Sequence, residues 1–355
     1  MRTVVAMSGG VDSSVAAALL HESGREVVGI SLHVHGLAHG GGYGRCCSPD
    51  DFRDARRVAG RLEIPYYVLD EEETFRRRVV ERFVDEYRRG RTPSPCVLCN
   101  SEVKFGGLLE RARALGAERI ATGHYARIER EGPRFRLLRG KDRSKDQSYF
   151  LFGLDQEQLA CAEFPVGELT KDEVRAAARR LDLPVWDKPE SQEICFVEGT
   201  SYRAFVRDRS GDLGPPGDVV SVGGERLAAH DGIGAFTVGQ RRGLGIPASE
   251  PLYVIGLEAA TGRVVVGPEE HLLSRSCTVS SVNWIPVEPR QGPVECEVKI
   301  RSRHEGARAR VLPHGGGSAL VEFASPQRAV APGQAAVFYD GDAVLGGGWI
   351  AEARS

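Results

Sequence analysis

The chain reads as an α/β protein in three parts: an N-terminal parallel-sheet domain at residues 1–202, a small central β-rich module at 203–272 and a C-terminal β-barrel at 273–355. Three observations carry that reading. An apolar strand, Thr3 to Met7, runs through Ser8-Gly9-Gly10-Val11-Asp12-Ser13-Ser14 into a helix. Apolar, β-branched runs then alternate with helical patterns to about residue 202, the order expected of a parallel sheet with right-handed crossovers. Beyond Tyr202, short β-like runs alternate with Gly and Pro turns, and the region reads as all-β.

The elements follow in order. Asp12 to Glu22 is helical, with Val15, Ala16, Leu19 and Leu20 apolar and Gly24 as its stop. Arg25 to Val34 is a buried strand. A glycine-rich stretch, His35 to Gly44, precedes Cys46-Cys47, and Ser48 with Asp51 opens a helix to about Arg61. Tyr66 to Leu69 is a third strand, and Glu71 to Arg89 one long charged helix. The two prolines of Arg91 to Asn100 predict an exposed, stiff segment. Lys104 to Leu115 is helical, Glu118 to Thr122 a fourth strand, and Glu131-Gly132-Pro133 the turn of a hairpin. Leu169 to Leu181 forms a helix capped by Thr170 with Glu173 at the third position. Among the later β-runs are Gly217 to Val222, Tyr253 to Leu257, Arg263 to Val266, Cys296 to Arg301, Ala309 to Leu312, Ala319 to Phe323 and Ala335 to Tyr339.

Composition bounds the function. A length of 355 residues exceeds one ordinary domain. There is no apolar run of about eighteen residues to cross a bilayer and no signal-peptide pattern, so the expectation is a soluble cytoplasmic protein without a membrane partner. Eight unevenly spaced cysteines do not read as a disulfide framework; buried, metal-binding or catalytic thiols are the alternatives. A net charge of −2 argues against a wholly basic nucleic-acid coat but permits local basic faces, for which Arg76 to Arg91, Arg127 to Lys145 and Lys299 to Arg310 are the candidates.

The first chemistry lies in the opening loop. Adjacent glycines let the backbone approach an anion closely, and the first N–H groups of the helix have no intrahelical partner and sit at its positive pole. No Lys follows as in a Walker A loop, and G-x-G-x-x-G is absent. Asp12 beside phosphates makes sense chiefly through Mg²⁺. The string resembles the PP-loop of the ATP pyrophosphatases, an adenine nucleotide alpha hydrolase-like fold that cleaves ATP to AMP and pyrophosphate. Cys99 and Cys195 mark the second chemistry, both in irregular segments where a thiolate is accessible.

Six strings occur in series: SGGVDSS, SPCVLCN, ATGHYAR, KDQSYFL, the ICF segment at Ile194 and TVGQRRGLGI. Together they resemble the bacterial tRNA-specific 2-thiouridylase family over nearly the whole chain. That resemblance implies ATP-dependent 2-thiolation of the wobble uridine of tRNAs for Lys, Glu and Gln, with ATP and Mg²⁺ as cofactors. A cysteine desulfurase or sulfur-relay protein is the implied sulfur donor. It implies that Cys195 carries a persulfide, and that Cys99 is the nucleophile that resolves it and ends disulfide-linked to Cys195. It implies an ATP site at Ala6, Met7, Ser8, Gly9, Gly10, Val11, Asp12, Ser13, Leu32 and Gly123. Ser94, Pro95 and Cys96 fall near the target base, and Lys145, Asp146, Gln147, Arg301 and Ser302 on tRNA contacts. The sequence departs from a common form of the family at Cys96, where many members carry an Asp proposed as general acid or base. That thiol creates Cys96-x-x-Cys99, which with Cys195 is a three-thiolate set able to hold a [4Fe–4S] cluster, the alternative sulfide carrier. Two further classes compete: another PP-loop ligase, which needs neither cysteine, and a non-catalytic RNA-binding protein, which would release no pyrophosphate.

Overall fold

The computed structural model describes residues 2–34, 49–189, 194–197, 199–285 and 292–354. Cys46, Cys47, the predicted cap Ser48 and Ser191 to Glu193 lie outside them. The chain divides into two compact units, one of Met1–Val79, Cys96–Thr200 and Asp342–Val344, the other of Val80–Pro95, Ser201–Gly341 and Leu345–Ser355.

In the first unit, β1 (Arg2–Ala6), β2 (Glu26–His33) and β3 (Tyr66–Asp70) alternate with α1 (Val11–Glu22) and α2 (Pro49–Arg61). β4 (Arg119–Thr122) and the two-residue β7 (Ala162–Glu163) complete a five-stranded parallel sheet in the order β3-β2-β1-β4-β7. The order reverses between β1 and β4. At such a switch point the connections leave in opposite directions and open a crevice beyond the carboxyl ends of the strands. α1 is buried along nearly its whole length, because it packs against β1, β2 and β4 and also against α8 (Lys171–Arg180), with Val15, Ala16 and Ala17 in one core with Val174 and Ala178 of α8. The predicted capping box of α8 is present: the Thr170 side chain accepts from Glu173 N, and Glu173 reaches back to Thr170 N at 2.6 Å. The predicted hairpin is present as β5 (Ala126–Glu131) and β6 (Arg134–Arg139), whose Leu138 and Leu137 pair with Ala343 and Val344.

The structure differs from four expectations. The Glu71 to Arg89 helix is α3 (Glu72–Phe75), a π-helical stretch Arg76–Val80 and α4 (Glu81–Arg88), the last belonging to the second unit. The segment predicted as exposed and stiff is largely helical. Pro95 opens α5 (Pro95–Leu98), where its missing N–H costs nothing because the first helical N–H groups lack partners anyway. Ser94, Pro95 and Asn100 are buried. The chain then continues as a π-helical run, Cys99–Gly107, into α6 (Leu108–Ala114), so the helical path starts well before Lys104. Carbonyls loosened by the wide turn are taken up by Gln158 of α7 (Gln156–Cys161), whose amide donates to Ser101 O at 2.9 Å and Phe105 O at 3.1 Å. Finally, the region after residue 202 is not purely β: Ser201 caps α9 (Tyr202–Ser210), which ends on left-handed Gly211.

In the second unit α4 packs on α9 through stacked Tyr87 and Tyr202, 4.4 Å apart, and an edge contact of Phe83 with Phe205. β8 (Gly217–Ser221), β9 (Arg226–His230), β10 (Tyr253–Glu258) and β11 (Arg263–Gly267) form a four-stranded sheet in the order β10-β11-β8-β9. The remaining strands are β12 (Leu273–Trp284), β13 (Val294–Lys299), β14 (Ala307–His314), β15 (Ser318–Arg328), β16 (Ala335–Asp340) and β17 (Ala343–Arg354). They run β12-β15-β14-β13-β16-β17, and β12 pairs with β17 to close an antiparallel six-stranded barrel. Val279, Val298, Val311, Val321, Phe338 and Ile350 fill it.

Candidate active site

The loop after β1 is built around its own hydroxyls. Ser8 N donates to Ser13 Oγ at 3.2 Å, and the two serine oxygens lie 3.3 Å apart. Ser13 and Ser14 hydroxyls both donate to Gly10 O, at 3.2 and 2.8 Å. Gly10 is the N-cap of α1 and supplies no side chain to its N–H groups, which leaves those donors to a ligand. Gly9 has φ +73°, and a Cβ there would collide with the Asp51 carbonyl of α2. Gly123, which follows β4 across the switch point, comes so close to α1 that a Cβ would lie 2.5 Å from Ser13 N. Met7 is buried, and its N–H donates to Ile30 O at 2.8 Å. Leu32 lies near the carboxyl end of neighbouring β2, in register with Leu69. The structure therefore gathers Ala6 to Ser13, Leu32 and Gly123 at one end of the sheet.

Sequence reasoning missed the cations that serve this loop. Lys171, a residue 8% exposed, places Nζ 2.8 and 2.9 Å from the two Asp12 oxygens, and the Tyr125 hydroxyl donates to the same carboxylate at 2.7 Å. Lys188 donates to Gly9 O at 3.0 Å, to Asp51 at 2.7 Å and to Asp54 at 2.6 Å. The two aspartates hold its ammonium above the ordinary lysine value, against the opposing effect of burial. The signal available in sequence for Lys171 was its place just after the cap Thr170, inside the first turn of a helix packed on α1. No pattern distinguished Lys188. His124, beside Gly123, is half-buried edge-on to Phe164, and its Nδ1 lies 2.7 Å from Thr122 Oγ1. Desolvation first, and then the Lys104 charge, hold it well below the ordinary histidine value.

The cysteines occupy a second part of the same unit. Cys96 is exposed in the first turn of α5; Cys99 and Cys195 are half-buried. Cys99 is the first residue of the π-helical run, and the next residue, Asn100, is pinned by donation to Phe150 O and acceptance from Lys104, both at 3.1 Å. Phe196, adjacent to Cys195, meets Phe75 of α3 edge-on at 5.6 Å. α3 also packs on the Cys99–Gly107 run, and Arg78 reaches Glu102 from the next turn at 3.3 Å. One short helix is thus a common neighbour of both cysteine-bearing segments.

The other sequence-predicted positions have their own partners or lie in the second unit. Asp146 accepts from Gly140 N and Ser148 N, both at 3.1 Å, and so holds its own loop, whereas Gln147 Oε1 accepts from Tyr125 N at 2.9 Å and ties that loop to the residue that bonds Asp12. Arg301 and Ser302 are half-buried in the second unit, where Arg301 donates to Arg328 O at 3.3 Å. Ser94 and Pro95 also fall in that unit. Many basic residues carry carboxylate partners: Arg76 with Glu73, Arg88 with Asp212, Arg91 with Glu86, Arg127 and Arg143 with Asp342.

A family model described as "tRNA methyl transferase HUP domain" matches residues 1–199, with a PRC-barrel companion at 203–268 and an "Aminomethyltransferase beta-barrel domain" at 274–350. Relatives named tRNA-specific 2-thiouridylase MnmA align from end to end. That of Geotalea uraniireducens is 52% identical, covering 99% of this chain and 95% of its own; that of Geobacter metallireducens is 53% identical, covering 98% and 96%. The chain belongs to the tRNA-specific 2-thiouridylase family. A third member, from Anaplasma marginale, is 48% identical over 98% of this chain and 90% of its own. Among solved structures, an NMN synthetase from Francisella tularensis aligns over 59% of this chain and 76% of its own at 17% identity and a TM-score of 0.34. Among the described residues no helix is long and apolar enough to cross a membrane.

Proposed function

We propose that this protein is an ATP-dependent tRNA-uridine 2-sulfurtransferase acting in the cytoplasm on the wobble uridine of tRNAs for Lys, Glu and Gln. The observation that carries the proposal is the alignment of the whole chain, at about half identity, with relatives named as 2-thiouridylases. The description of the matched family, "methyl transferase", names a competing reaction. Methyl transfer needs no phosphate loop at a switch point and no pair of cysteine segments, so the site favours thiolation.

In the proposed reaction ATP lies at Ala6 to Ser13, Leu32 and Gly123, and Ser94 to Cys96 lie near the base. The uridine C2 oxygen attacks the α-phosphorus, N3 gives up its proton, and the bond to the bridging oxygen breaks to release pyrophosphate. The terminal sulfur of a Cys195 persulfide then attacks C2, and AMP leaves with the electrons of the C–O bond. The Cys99 thiolate attacks Cys195 Sγ; the electrons of the S–S bond pass to the sulfur now on the base, which regains its N3 proton as 2-thiouridine. The resulting Cys99–Cys195 disulfide is reset by an external thiol reductant, and a cysteine desulfurase or sulfur-relay protein reloads Cys195. Asp12 suits a hard cation by donor type, although it already shares both oxygens with Lys171. Mg²⁺ bound there would neutralise phosphate charge.

The [4Fe–4S] reading is favoured by one observation: Cys96 and Cys99 stand three residues apart at the junction of α5 and the π-helical run, hence on one helix face. With the Asp146 side chain engaged in its own loop and that of Gln147 on Tyr125, tRNA contact there falls to Lys145 and backbone groups, and Arg301 and Ser302 are further tRNA contacts. The family matches at 1–199, 203–268 and 274–350 support the division 1–202, 203–272 and 273–355. The test is pyrophosphate release and AMP formation with and without unmodified tRNA. Both dependent on tRNA, with 2-thiouridine in the digested product, is the expected result; methylated uridine instead would overturn the proposal.

A further inference from the structure

Lys188 lies outside every motif that carries the family resemblance, yet its ammonium touches three groups around the phosphate loop. One is the Gly9 carbonyl, at 3.0 Å. In a trans peptide the carbonyl of one residue and the N–H of the next point in opposite directions within a plane, so anchoring Gly9 O also sets the direction of the Gly10 N–H. The others are the Asp51 and Asp54 carboxylates of α2, at 2.7 and 2.6 Å, whose side chains are 8% and 22% exposed. The Asp51 backbone buttresses Gly9 directly, since no Cβ fits between them. Two poorly hydrated carboxylates thus stand beside a loop whose proposed ligand is a polyanion. Besides Lys188, Asp54 has Arg57, whose guanidinium is 3.6 Å away and 59% exposed and therefore well screened.

We propose that Lys188 is a positioning residue for the triphosphate: it fixes the Gly9–Gly10 peptide plane and cancels the repulsion that Asp51 and Asp54 would exert on the bound phosphates. The inference rests on the reading of this loop as the ATP site and adds a residue to it. Without Lys188 the local sum of these three charges changes from −1 to −2, and the penalty falls on phosphate rather than on the nucleoside.

The test is equilibrium binding of Mg²⁺-ATP and of adenosine to the full-length protein and to Lys188→Met, Lys188→Arg, Asp54→Asn and the Lys188→Met/Asp54→Asn double variant. Lys188→Met is expected to weaken ATP by about tenfold or more while adenosine stays within roughly twofold. Lys188→Arg is expected to stay near wild type, and the double variant to recover most of the lost ATP affinity, which a variant that merely disordered the loop would not do. The inference is overturned if Lys188→Met binds ATP normally, loses ATP and adenosine equally, or is not improved by Asp54→Asn. Failure of the wild-type protein to bind ATP would instead remove the functional reading on which it stands.

Discussion

The phosphate loop and the cysteine segments share one unit and are built on opposite plans. The loop is held from all sides: paired serine hydroxyls within it, Gly123 against Ser13, Lys171 on Asp12 and Lys188 on Gly9. Around the thiols, Cys96 is exposed, Cys99 begins a wide π-helical turn and Cys195 sits among turns from Ile194 to Val197. The difference fits the tasks proposed for the two regions. Binding a polyphosphate rewards donors that are already aimed before the ligand arrives. Passing sulfur between atoms requires thiols that another sulfur can reach.

The contrast is testable from both ends. Cys195→Ser and Cys99→Ser should each reduce thiolation by at least about a thousandfold while ATP affinity stays within about twofold, measured by nucleoside mass spectrometry and calorimetry. A matching loss of ATP affinity would mean the two regions are not separable. Gly123→Ala should do the reverse. Its Cβ must displace the Ser13 backbone, an overpacking worth about 1–3 kcal/mol, so ATP affinity should fall by roughly tenfold or more with thiol alkylation rates unchanged.

A smaller effect concerns His124. Its folded-state value is depressed, so the unfolded chain binds the proton more readily. Its contribution is present above the unfolded value, about 6.5, and is lost as pH falls below it, at up to about 1.4 kcal/mol per pH unit. Urea midpoints at pH 7.5 and 5.5 should therefore differ more for wild type than for His124→Asn; equal differences would contradict this. Smallest is Thr170→Ala, which removes one half of the α8 capping box and should cost about 1 kcal/mol in the same unfolding experiment.

What could be read in advance was local. The strand-loop-helix at Ser8, the alternation that makes a parallel sheet, the hairpin at Gly132 and the Thr170 cap all depend on residues within a few positions of one another. Pro95 was misread because proline both breaks helices and starts them, and only the fold shows which. The π-helical turns have no sequence period to betray them. α9 is only nine residues long and rich in arginine, so its one short apolar stripe, Tyr202, Phe205 and Val206, was easily lost among the β-runs that follow. Lys171 and Lys188 were invisible for a different reason: their partners lie 159 and at least 134 positions away. The site's electrostatics are a property of the folded crevice.

The most direct measurement is 2-thiouridine formed by iron-free protein supplied with Mg²⁺-ATP, tRNA and a cysteine desulfurase, compared among wild type, Cys96→Ser, Cys99→Ser and Cys195→Ser. The account predicts full activity without iron, retained in Cys96→Ser and abolished in the other two. Activity that requires a stoichiometric iron–sulfur cluster and all three thiols would contradict persulfide transfer through Cys195.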